Sequence, residues 1–206
     1  MQYRRMKDGT AKSMAMTIAM AVFTAMEGFR HRHLNDAQVC EFVPILCNAA
    51  YTAYYCDRHR AKDWYCDMQF RFAYRLLPNY WETPELLIRG ESATLVHDKD
   101  LLDQLAIGAK IYAMIVRNAM EDFHCKYLSD AQMRELNPIV RNAIYTALYC
   151  MLNYEDPECR RWLSETEDAI PDDWPEPMLL TKKPRGGEAV RLKKRYEWFC
   201  LGKEHE

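Results

Sequence analysis

Glycine is scarce in this chain, at 7 of 206 residues, and so few leave little scope for a loop that cradles phosphate through its backbone N–H groups. No G-x-S-x-G occurs, so the strained nucleophile elbow of the serine hydrolases is missing as well. Proline is rare too, at 9. With both helix breakers scarce, and Met, Ala, Leu, Glu, Lys and Arg plentiful, the expectation is an all-α fold, because straight-chain residues lose little rotamer freedom in a helix. No apolar run approaches the roughly 18 residues that would span a bilayer. The Ala- and Met-rich run from Ala11 to Ala25 is interrupted by Lys12, Ser13, Thr17 and Thr24, and no A-x-A-like site follows it. It therefore suits an amphipathic helix better than a signal-peptide core. Neither sign of charge dominates, since the formal net charge is −2, and this excludes a uniformly basic nucleic-acid coat.

Cysteine is not scarce, but the spacings that would give it a role are missing. Cys40, Cys47, Cys56, Cys66, Cys125, Cys150, Cys159 and Cys200 contain no C-x₂-C pair and no Cys/His cluster at finger spacing, so neither zinc nor a disulfide framework is expected. They read as reduced thiols packed as small hydrophobes in a cytoplasmic protein. No cofactor and no metal is called for by any motif.

What the sequence does contain is a copy of itself. Between Leu34–Cys56 and Leu128–Cys150, 14 of the 23 positions are identical at an offset of 94. The reading is two tandem pseudo-symmetric helical repeats packed together, 12–87 and 100–180, joined by a linker over 88–99 and followed by a basic and aromatic appendage over 181–206. Each repeat opens with a helix, 12–30 and about 101–125. A capping box then starts the next helix, Asn35 with Gln38 and Ser129 with Gln132, in which each side chain satisfies the other residue's backbone donor. Pro44 and Pro138 predict a break there, giving a helix of about two turns followed by a longer one over 44–57 and 138–153. A charged, aromatic-rich helix is expected over 57–75, and a shorter acidic one over 157–168. Each repeat closes alike, Trp81-x-x-Pro84-x-Leu86-Leu87 matching Trp174-x-x-Pro177-x-Leu179-Leu180, as a clamp expected to fold back onto its own helices.

Comparing the copies sorts the long helix into two arcs. Cys47/Arg141, Ala50/Ile144 and Tyr54/Leu148 differ and fall at i, i+3 and i+7, a stripe expected to face outwards as a partner surface. The retained polar set Asn48/Asn142, Tyr51/Tyr145, Thr52/Thr146 and Tyr55/Tyr149 is the repeated group most worth a functional assignment, since Asn in a helix interior is unfavourable by propensity. It implies either a satisfied buried hydrogen bond or a ligand contact. Together with Arg141 and Ile144 these residues form the candidate ligand- or partner-binding set, and no residue is assigned a catalytic role.

Other chemistry is weakly signalled. His97-Asp98 has the look of a phosphohydrolase metal pair but lies in the linker with no counterpart. Glu155 to Glu176 holds nine acidic residues against two Arg. The tail that follows carries Lys182, Lys183, Arg185, Arg191, Lys193, Lys194 and Arg195, then Tyr196, Trp198 and Phe199, and is the one place where nucleic acid is a plausible partner. The leading expectation is a non-enzymatic binding protein that sequesters a small ligand, phosphorylated or not, or occupies a partner macromolecule such as a protein, with a homo-oligomer allowed and no membrane association. In size, duplication and missing catalytic constellation it resembles accessory inhibitor proteins of phages or mobile elements. The alternative is a metal-dependent nucleotide or phosphate-ester hydrolase, with Glu27/Glu121 and Asp36/Asp130 on facing helices.

Overall fold

The structure, a computed structural model, describes residues 8–88 and 99–180. Most of the linker, with His97-Asp98, and the whole appendage 181–206 lie outside the described residues. Eight helices and no strand occur among the described residues: α1 (Asp8–Ala25), α2 (Glu27–His33), α3 (Asp36–His59), α4 (Trp64–Arg75), α5 (Lys99–Ala119), α6 (Glu121–Tyr127), α7 (Asp130–Leu152) and α8 (Pro157–Asp168). None of the helices among the described residues is long and apolar enough to cross a membrane.

The capping boxes form as the sequence implies. Gln38 N donates to Asn35 Oδ1 at 2.9 Å and Asn35 N to Gln38 Oε1 at 2.8 Å; Gln132 N and Ser129 N make the equivalent pair at 3.2 and 2.7 Å. Each box satisfies helix-end donors that would otherwise be orphaned. Three expected boundaries are corrected. The opening helix of each half breaks at a fully buried methionine, Met26 and Met120, whose ψ of 13° and 15° departs from helical geometry, so that Phe29 and Phe123 turn into the core.

The break expected at the prolines does not occur, since α3 and α7 run straight through Pro44 and Pro138. A proline inside a helix costs about 3 kcal/mol through its missing N–H and its ring clash. The buried neighbours Phe42, Val43, Leu46 and their counterparts Leu136 and Val140 each return about 1.5–3 kcal/mol of apolar burial, which holds the helix together. The helix expected over 57–75 is also divided: α3 ends at His59, and Asp63 caps a new start by accepting from Tyr65 N at 2.9 Å.

The four long helices close a ring, with α1 and α5 each packed against both α3 and α7. The outer helices cross over, because α4 lies on α3 and α5, and α8 lies on α7 and α1. One apolar cluster runs through both halves, with Phe29, Phe42, Tyr112, Phe123, Ile144 and Tyr149 among its most deeply buried members.

The closing segments Trp81–Ile88 and Trp174–Leu180 are extended arms, and each docks on the opposite half. Glu85 N donates to Asn142 Oδ1 at 3.1 Å and Leu87 N to Thr146 Oγ1 at 2.9 Å. Met178 N donates to Asn48 Oδ1 at 2.8 Å and Leu180 N to Thr52 Oγ1 at 2.9 Å. The expectation that each arm folds back on its own helices is thereby overturned. Docking is favoured because an extended segment has no internal partners for its N–H groups, and each long helix offers two acceptors one turn apart.

Candidate functional site

The Asn and Thr residues of the retained polar set hold the arms. Thr52 and Thr146 each donate their hydroxyl to the carbonyl four residues back, Asn48 O and Asn142 O, at 2.8 Å. That orients a lone pair towards the arm N–H, and the Asn side chain one turn earlier accepts the other. The retained tyrosines are core or near it. Tyr149 is fully buried and Tyr51 and Tyr145 nearly so; burial pushes the Tyr145 hydroxyl up, with the charge of Asp103 adding to it. Tyr55 is half-buried, its ring stacked on His59 at 4.0 Å.

The stripe expected to face outwards points in. Cys47, Ala50, Tyr54, Arg141 and Ile144 are all 5 % exposed or less, and of the six residues only Leu148 is half-buried. Ile144, at 0 %, presents nothing to a partner. The stripe drifted between the halves because core positions can exchange volume with their neighbours at modest cost. In the retained arc, Asn48, Thr52, Asn142 and Thr146 each serve a contact with the arm of the opposite half.

Retained Glu41 and Glu135 belong to the same system. Tyr127 Oη donates to Glu41 at 2.6 Å with Lys126 at 3.4 Å, and His33 lies 3.1 Å from Glu135 with Arg32 beside it. The four carboxylates of the hydrolase alternative are not gathered. Glu27, Asp36, Glu121 and Asp130 are all exposed, Glu27 and Asp130 being engaged by His31 and His124. Although Glu121 and His124 have E-x-x-H spacing on α6, no group of three or more His, Cys, Asp or Glu able to hold a metal occurs among the described residues.

One feature of the thiols was missed at an offset of 94. After a one-residue deletion the register becomes 93, and Cys66 then matches Cys159. Each half accordingly buries a hydrogen-bonded thiol pair, Cys56 with Cys66 and Cys150 with Cys159. Burial pushes Cys56, Cys150 and Cys159 towards the neutral form, Cys56 and Cys150 far above their ordinary value, and Cys66 is buried beside Cys56, so the pairs pack rather than attack.

The stripe's substitution of Cys47 by Arg141 is the one that changes chemistry. Arg141 is 5 % exposed on the wall of a cleft of about 240 Å³ lined by Tyr80, Trp81, Glu82, Arg134, Asn137, Pro138 and Arg141. Its guanidinium lies 5.1 Å from the Trp81 ring centroid. Both Arg141 Nε and Trp81 Nε1 are buried with no hydrogen-bond partner among the described residues. Burial pushes the Arg141 guanidinium down from its ordinary value, and the carboxylate of Glu82 draws it back. Lys110, which donates to Trp81 O at 2.8 Å, is pushed down by burial and then by the charge of Arg141.

An orphaned buried donor is unusual in a folded protein. The third such atom among the described residues, Arg30 Nε, belongs to a guanidinium lying 3.6 Å over Phe23. Arg30 is not on the wall of this cleft, nor of the larger one of about 380 Å³ beside Leu76, Arg117 and His124. Among the described residues, Arg141 and Trp81 are the two residues with such an atom that line one cleft. Comparison with family models, with curated proteins and with solved structures returns no match.

Proposed function

We propose that this chain is a non-enzymatic binding protein that holds a small anionic ligand in the cleft between the first arm and α7. The observation that carries the reading is the pair of unpartnered buried donors, Arg141 Nε and Trp81 Nε1, on one cleft wall. Arginine and the indole N–H only donate, so what completes them must accept. The cleft offers no nucleophile set against a base and no gathered carboxylates, which favours retention of the ligand over its conversion. The two halves are read as descendants of a symmetric pair that exchanged arms, and the ligand site as a later addition to one seam only. Residues Asn48, Thr52, Asn142 and Thr146 hold the frame in this reading, and Arg141 binds.

The test is native mass spectrometry of the full chain at low ionic strength, followed by analysis of whatever is released on denaturation. A small anion bound to the parent protein and missing from Arg141→Met supports the reading. Recovery of a chemically altered ligand after incubation would favour the hydrolase instead. If no small molecule binds the parent protein in this experiment or in a panel of anionic compounds, the reading fails.

A further inference from the structure

We propose that the ligand of this cleft is a phosphate monoester carried as a dianion, with its ester group lying against Tyr80. This deepens the small-anion reading and rests on it. Charge comes first. Arg134 and Arg141 line the cleft, and Lys110 stands close enough to act on Arg141, against the single carboxylate of Glu82. Glu135, next to Arg134 in sequence, is already engaged by Arg32 and His33. Two cations on the wall and a third behind it, Lys110 on Trp81 O, against one carboxylate leave a net positive charge, which a dianion neutralises more fully than a monocarboxylate.

The same surplus is missing from the other half. At the equivalent positions Arg134, Arg141 and Lys110 are replaced by Cys40, Cys47 and Met16, while the tryptophan and the proline are kept as Trp174 and Pro44. Three cationic positions arranged around one retained frame distinguish a ligand site from general drift of surface charge. Donor geometry points the same way. The two orphan N–H groups come from different elements, one on α7 and one on the arm, so their partner must present oxygens in more than one direction. A tetrahedral phosphate does so, and guanidinium is well matched to it. Tyr80, on the same wall, is 68 % exposed and offers an aromatic face at the mouth, where bare phosphate would leave it unused.

Isothermal titration of the full chain with phenyl phosphate, inorganic phosphate and benzoate decides the matter. Near pH 7.5 phenyl phosphate is expected to bind at least about tenfold more tightly than benzoate. It should weaken by about tenfold near pH 5, where a phosphate monoester with its second ionisation near 6 has lost one charge. Arg141→Met should abolish binding and Arg134→Gln weaken it; Tyr80→Ala should reduce phenyl phosphate to the affinity of inorganic phosphate. Should Arg141→Met not fold, Arg141→Gln serves in its place. Benzoate binding as well as phenyl phosphate, with both lost in Arg141→Met, would overturn the dianion while leaving the small-anion reading standing. Binding of neither would overturn both, and phenyl phosphate binding that survives loss of Arg141 would overturn the site. Equal affinity for inorganic phosphate and phenyl phosphate in the parent protein would remove Tyr80 from it.

Discussion

At the scale of single residues, the long helices show how one face can be sorted correctly yet oriented wrongly. Comparison of the two copies separated drifting from retained positions, and that separation corresponds to a physical difference. Its direction did not, because drift measures freedom to substitute, and a core that can repack also has that freedom. Ile144, fully buried, is where the outward and inward assignments part most sharply. Ile144→Asp places an unpaired charge in the core and should cost more than about 4 kcal/mol, read as loss of the cooperative thermal transition. A variant that melts like the parent would return the stripe to the surface. The thiols teach a related lesson: Cys66 and Cys159 were legible in the sequence once the register moved from 94 to 93, and a single fixed offset concealed them.

At the scale of elements, most helices could be read from their ends. The capping boxes at Asn35 and Ser129 and the start of α8 at Pro157 follow from local chemistry alone. The prolines misled because the penalty for an interior proline is a local cost, whereas the burial that offsets it is tertiary. The arms could be recognised as matching segments, but nothing local says which helix receives them. Their hydrogen bonds to Asn142 and Thr146 predict a coupled effect. Asn142→Ala and Thr146→Ala should each cost about 1–3 kcal/mol by orphaning an arm N–H. The double variant should cost less than their sum, since once the first contact is lost the arm loosens and the second has less to lose. Denaturant unfolding of the three variants measures this, and strict additivity would mean that the arm does not act as a unit.

At the scale of the whole molecule, each half is held by groups supplied by the other, and this was legible in the sequence as a retained set without a visible reason. The carboxylates give it a pH signature. The Tyr127 hydrogen bond, helped by Lys126, holds the Glu41 carboxyl below its ordinary range, and the Arg32 hydrogen bond, with His33, does the same for Glu135. A carboxyl whose folded pKa is depressed contributes stability that is full above its unfolded value of roughly 4.3 and is lost as pH falls through the folded value. Asp57, pushed up by burial, works in the opposite sense and is common to parent and variant. The double variant Glu41→Gln, Glu135→Gln should therefore lose less melting temperature than the parent between about pH 5 and pH 3, whereas parallel curves would contradict the seam contacts. Among the differences between the two seams is the buried cation Arg141, which stands where the other has Cys47, and the functional account depends on it. The melting temperature of Arg141→Met in a buffer free of phosphate and carboxylate tests it most directly. Methionine keeps the apolar stem and removes a desolvated charge that has no ion-pair partner among the described residues, so the account expects the variant to melt higher than the parent. A lower melting temperature would mean that Arg141 holds the fold together, and that the cleft is not built to receive an anion.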